Sequence, residues 1–122
     1  MDGFSCRSSA IRVDKPWGLE WVWARRGRYV GKVIYVKAGE ALSRQYHRVK
    51  EETLCFLGGE GVLELDGECI VTKPGVVVDI KAGQVHRLTA RTDLVLVEAS
   101  TPELDDVVRL DDRYGRAVGD ST

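Results

Sequence analysis

Turn signals break this chain at short intervals. Arg26-Gly27-Arg28, Ala38-Gly39-Glu40, Gly58-Gly59-Glu60, Asp66-Gly67, Lys73-Pro74-Gly75 and Lys81-Ala82-Gly83 each interrupt an apolar stretch too short for a stable helix. The stretches themselves are rich in β-branched and aromatic residues, as in LEWVWAR at 19–25 and YVGKVIYVK at 29–37. Strands are expected at 19–25, 29–37, 53–57, 61–65, 68–72, 76–80, 86–90 and 94–98, with Asp66-Gly67 closing a tight hairpin. No segment before residue 100 keeps a helical period. The expected fold is all-β, a sandwich or closed barrel, because many short strands need a second sheet to cover their apolar faces. After it, Ser100 could cap a short helix with Glu103 three residues on. Asp111–Arg116 is too polar for a core and is expected to fold back as a loop.

The 122 residues make one domain. Eighteen Lys and Arg against nineteen Asp and Glu leave a formal net charge of -1, so nothing draws the chain to nucleic acid or an anionic membrane. No apolar run reaches bilayer length, and MDGFSCRSSA at the N-terminus lacks a signal-like apolar core, so a cytoplasmic protein is expected. The three cysteines, Cys6, Cys55 and Cys69, are an odd number without paired short spacings, which speaks against a disulfide framework or a zinc ribbon. Cys55 reads as a small buried hydrophobe.

The chain has two histidines, and both fall inside glycine-punctuated patterns. The first runs Gly39, five residues, Gln45-Tyr46-His47, four residues, Glu52, six residues, Gly59; the second runs Gly75, five residues, Lys81-Ala82-Gly83, two residues, His86. On a strand, positions two apart share a face, so Gln45 and His47 project together while Arg44, Tyr46 and Arg48 point away. A turn through Val49-Lys50-Glu51 lets Glu52 re-enter facing inward, and His86 opens a later strand. Gln-x-His, Glu52 or His86 alone would be ordinary surface or packing chemistry; the joint pattern is what points to a site. Two imidazoles, one carboxylate and an amide oxygen suit a divalent ion such as Zn²⁺, Fe²⁺, Mn²⁺, Ni²⁺ or Co²⁺. Such an ion would keep a net positive charge, able to polarise a carbonyl.

These two patterns resemble the paired motifs of the cupin superfamily, with Gln45 in place of the usual first histidine and Lys81 in place of the proline of the second motif. Gln-x-His with Glu and a distant His looks like the zinc set of mannose-6-phosphate isomerases, and this resemblance puts Zn²⁺ first among the ions. Further segments carry the likeness: Lys15-Pro16-Trp17-Gly18, Leu42-Ser43-Arg44-Gln45-Tyr46-His47, Asp106-Val107-Val108-Arg109 and Asp112-Arg113-Tyr114-Gly115-Arg116 are similar to motifs of the isomerase domain in bifunctional mannose-6-phosphate isomerase/mannose-1-phosphate guanylyltransferases. Val49 stands where that family often has a third histidine, and no nucleotide-binding loop is present. The resemblance implies a small cupin-type jelly-roll barrel over 15–116, between a flexible segment at 1–14 and a disordered tail at 117–122. It also implies a metal-dependent isomerase working on a sugar or sugar phosphate through a cis-enediolate.

Within that reading, Arg113 is expected to hold phosphate or enediolate oxygens, because a guanidinium meets them bidentately. Lys32, where the family has a lysine, is the expected base, with Glu98 as another candidate. A non-catalytic sugar-binding module and, more distantly, an Fe(II) oxygenase are the alternatives. A homodimer is expected, and the Trp17, Trp21 and Trp23 group would suit either an interface or a core layer.

Overall fold

A computed structural model describes residues 7–103 and 105–116, and among them there are eleven strands and no helix. In chain order the strands are β1 (Ile11–Lys15), β2 (Gly18–Arg25), β3 (Val30–Val36), β4 (Arg44–Tyr46), β5 (Glu52–Gly58), β6 (Gly61–Leu65), β7 (Glu68–Thr72), β8 (Val77–Ile80), β9 (His86–Ala90), β10 (Leu94–Ser100) and β11 (Val108–Asp111). They form two antiparallel sheets, one of six strands ordered β1-β2-β3-β10-β5-β8 and one of five ordered β11-β4-β9-β6-β7. The Asp66-Gly67 hairpin joins β6 to β7 with positive φ at both residues, as a two-residue turn with the twist of its strands requires. Gly59 also sits at positive φ, and a Cβ there would stand 1.9 Å from the carbonyl oxygen of Asp93.

Burial alternates along the inner strands, and that alternation builds the site. On β3 the inward positions are Val30, Lys32, Ile34 and Val36; on β5 they are Glu52, Leu54 and Phe56; on β10 they are Leu94, Leu96, Glu98 and Ser100. At one end of the sandwich Ile34, Val36, Leu54, Phe56, Leu63, Leu88, Leu94 and Leu96 pack into a single core. Burying each such side chain contributes about 1.5–3 kcal/mol. At the other end the same inward phase carries Lys32, Glu52, His86 and Glu98. The antiparallel register brings them level, since Glu98 pairs with Lys32 on one side and Leu54 on the other, and Ser100 with Glu52. The barrel therefore has an apolar floor and a charged upper cavity.

Three expectations are corrected here. Residues 11–14, assigned to a flexible segment, belong to β1, which pairs with β2 from Ile11↔Val22 to Lys15↔Gly18. The remainder of that segment up to residue 6, and the tail at 117–122, lie outside the described residues. The short helix at Ser100 does not form, because Ser100 completes the β10 ladder and the Thr101 hydroxyl and N–H are taken up by the backbone of Glu51. The returning chain instead adds β11 beside β4, with Val108↔Tyr46 and Arg109↔Gln45. Cys55 is half-buried on the outer face of the six-stranded sheet rather than in the core. The tryptophans divide: Trp17 is in the core at 3% exposure, whereas Trp21 and Trp23 are 46% and 61% exposed. Among the described residues no helix is long and apolar enough to cross a membrane.

Candidate metal centre

Three strand ends converge on one point. Gln45 lies in β4 opposite His86 at the start of β9, His47 follows β4 directly, and Glu52 opens β5. His47 Nε2 and His86 Nε2 stand 3.6 and 3.5 Å from the same oxygen, Glu52 Oε1. One ligand atom from each residue falls within 4.8 Å of the others, and all three side chains are buried.

The far side of each imidazole is fixed. His47 Nδ1 donates to the carbonyl of Asp106 at 2.5 Å, and His86 Nδ1 donates to the carbonyl of Gln84 at 2.9 Å. A carbonyl only accepts, so each Nδ1 carries a hydrogen and Nε2 is the nitrogen that faces the centre, where it can bind an ion in place of a proton. His47 Nε2 is buried with no hydrogen-bond partner. An orphaned buried polar atom costs free energy, and a divalent ion at this point would relieve it. Gln45 Nε2 donates to Ser43 Oγ at 2.8 Å, which leaves the amide oxygen as its free end. Burial pushes the Glu52 carboxyl pKa up, but the two imidazoles and the Lys50 ammonium outweigh it and hold it well below the usual carboxylate range. His47, Glu52 and His86 together offer two imidazoles and one carboxylate, a donor set that fits a divalent ion.

Behind the ligands lies a buried ion cluster. Lys50 Nζ is 3.3 Å from Glu52 Oε2 and 3.2 Å from Glu98 Oε2. Burial works against the Lys50 charge, yet Glu98 and Glu52 hold its ammonium above the ordinary lysine range. Burial, and then the neighbouring Glu52, push the Glu98 carboxyl up. A cavity of about 210 Å³ opens over the ligands and this cluster, floored by core residues such as Trp17, Ile34 and Leu96, and edged by Lys15, Glu20, Lys32, Asp105, Arg109 and Arg116.

Lys32 faces this cavity, with its ammonium 3.1 Å from Glu20 Oε1. Arg113 does not join it: its side chain is exposed and donates to the carbonyl of Gly39 at 2.6 Å. The arginines that line the cavity are Arg109 and Arg116. Arg44 and Arg48 are exposed, as strand alternation implies, and Arg87 is used to hold Leu42 and Asp111. Lys50 escaped sequence reasoning because it was assigned to a turn. Its place two residues before Glu52 is the signal that could have found it.

Asp106 clamps the turn between the ligands. Its carboxylate accepts from the N–H groups of Arg48, Val49 and Lys50 at 3.0, 2.7 and 2.9 Å. Partial burial raises the Asp106 pKa, but these backbone donors win and leave it lowered. A depressed carboxyl contributes stability above its unfolded pKa of about 3.9, lost as the pH falls through the folded value. Asp106→Asn should therefore be less stable than the wild type at pH 7, and the gap should narrow below pH 4. Urea unfolding at both pH values checks this, and a gap independent of pH would refute the assignment.

The model of the Mannose-6-phosphate isomerase C-terminal family matches residues 5–112. Over 109 residues the chain is 36% identical to a mannose-1-phosphate guanylyltransferase of Escherichia coli (strain K12), a match covering 85% of this chain and 23% of that protein. The chain thus spans about a quarter of the length of the curated relatives it matches. KdgF from Halomonas sp. superposes with a TM-score of 0.73 at 18% identity, over 81% of this chain and 96% of that one. An RmlC-like cupin from Shewanella frigidimarina NCIMB 400 also gives 0.73, at 16% identity, over 79% and 86%. At these identities the two structures establish the cupin fold.

Proposed function

Because this chain belongs to the Mannose-6-phosphate isomerase C-terminal family, we propose that it is a metal-dependent aldose–ketose isomerase acting on a sugar or sugar phosphate. The observation that carries this reading is the convergence of His47, Glu52 and His86 inside a small cavity beside the buried Lys50–Glu98 pair. When bound, a divalent ion (zinc first, with manganese, iron, nickel or cobalt also suited) supplies Lewis-acid stabilisation of adjacent sugar oxygens. Gln45, His47, Glu52 and His86 hold it.

The remaining groups supply acid–base chemistry and orientation. Isomerisation removes a proton beside the sugar carbonyl and returns it to the neighbouring carbon, with no net oxidation. Glu98 is the proposed carrier: it lines the cavity, and burial pushes its carboxyl up, which makes it a stronger base than an ordinary glutamate. Lys50 balances the charge of Glu98 while it does so. Lys32, held by Glu20, presents a cation to the cavity in place of the free base role. Lys15 and Arg109 bring cations to the mouth beside Glu20 and Asp105, and Arg116, paired with Asp112, adds a third charge for a phosphate to meet. Arg113 is set aside, since it is spent on Gly39.

The test is turnover of mannose 6-phosphate followed by NMR in D₂O, without oxygen, with metal-loaded and chelator-treated protein. Metal-dependent conversion with deuterium entering the sugar is expected, and should fall in Glu98→Gln. Tight ligand binding without turnover would instead support a sugar-binding module, and oxygen consumption with Fe²⁺ an oxygenase. The proposed assembly is a homodimer covering the outer face where Trp21, Trp23 and Tyr35 are exposed. A monomer by sedimentation equilibrium at micromolar concentration would refute it.

A further inference from the structure

One residue outside the ligand set touches four consecutive residues of the segment between the ligands. The Asp106 carboxylate accepts from the N–H groups of Arg48, Val49 and Lys50, and its own carbonyl accepts from His47 Nδ1 at 2.5 Å. Three successive N–H groups facing one carboxylate form a concave anion site, and without it those donors lose their partner together. The main chain of His47 is also tied to the turn before His86, through Gly83 N–H to His47 O at 2.7 Å. His47 is therefore gripped at its backbone from one side and at its ring from the other. The ring contact comes from the segment that returns after β10 to form β11 against β4.

We infer that Asp106 is the positioning residue of the metal centre. By capping the 48–50 turn its carboxylate holds its own carbonyl against His47 Nδ1, and so fixes the ring tautomer that turns Nε2 toward Glu52. The docking of the C-terminal segment and the affinity for metal are then linked, because a partner that orients a ligating imidazole raises its strength as a ligand. This inference rests on the metal reading of the site and adds to it a residue that is not a ligand.

The experiment compares wild type, Asp106→Ala, Asp106→Asn and, as a destabilised control remote from the clamp, Val36→Ala in the core, where Val36 pairs with Gly18 and Leu94. Zinc affinity is read by competition with a chromophoric chelator, the ligand field by the visible spectrum with Co²⁺, and the His47 tautomer by ¹⁵N shifts of the metal-free protein. Asp106→Ala should weaken zinc binding about 10–100-fold, alter the Co²⁺ spectrum and lose the Nδ1–H preference of His47. Asp106→Asn, which keeps one acceptor oxygen, should fall between, and it carries the test alone if the alanine variant does not fold. Val36→Ala should bind zinc as the wild type does. Both Asp106 variants binding like wild type, or a loss matched by Val36→Ala, would overturn the inference. A wild type that binds no metal would instead remove the metal reading itself, and the inference with it.

Discussion

Lys50→Met should destabilise the metal-free protein by about 3–5 kcal/mol, because it strands two buried carboxylates without their shared cation. Lys50 Nζ stands 3.3 Å from Glu52 and 3.2 Å from Glu98, and all three side chains are almost wholly buried. The attraction in such a cluster offsets the cost of taking its members out of water only while the charges balance. The variant would relieve itself by holding a proton on Glu98, whose carboxyl burial and Glu52 already push up. A raised carboxyl contributes stability that is full below its unfolded pKa of about 4.3 and lost as the pH rises through the folded value. The Lys50→Met protein should therefore gain stability as the pH is lowered from 7 toward that range. Adding Glu98→Gln removes one of the two anions and should recover much of the loss. Urea unfolding of the single and double variants in a chelator measures this coupling, and a double variant no more stable than Lys50→Met would show that the cluster does not act as a unit.

Metal saturation should produce the other large effect. A ligand that binds only the folded state at about a thousand times its dissociation constant stabilises it by about 4 kcal/mol. For a chain of this length that is a rise in Tm of about 15 °C. The His47→Ala/His86→Ala double variant loses both imidazoles, leaving one carboxylate and an amide, and should show no shift and no near-stoichiometric metal by elemental mass spectrometry. The wild type should be purified without a histidine tag so that the ion it carries is its own. A wild type that gains no stability from Zn²⁺, Mn²⁺ or Fe²⁺ would remove the metal-dependent isomerase reading and leave a binding role.

Much of the barrel was legible because it is written in local chemistry. Alternation and turn residues locate the eight central strands to within a residue or two, and positive-φ positions such as Gly67 mark where the chain must reverse. The strands at 11–15 and 108–111 carry weaker signals. They pair at sheet edges, and the partner rather than the segment's own pattern orders them. Polar tails with a plausible cap, such as Ser100 to Glu103, read as helix until the sheet claims their backbone groups.

The two histidines, Gln45 and Glu52 were legible as a set because their spacing within each motif fixes which face they share. The chemistry around them was not. Lys32 and Glu98 meet through the register of β3 and β10, more than sixty residues apart in sequence. Lys50 joins them only because β5 and β10 pair. Arg109 reaches the cavity because β11 lies against β4, while Arg113, four residues on, is directed to Gly39. By itself the sequence determined an all-β barrel, the turns that reverse it and the candidate metal ligands, because these follow from periodicity, φ preference and spacing along one or two neighbouring strands. Only the tertiary structure decided which charges face one another inside the barrel and what clamps His47. Those contacts depend on how distant strands align, and no local pattern encodes that alignment.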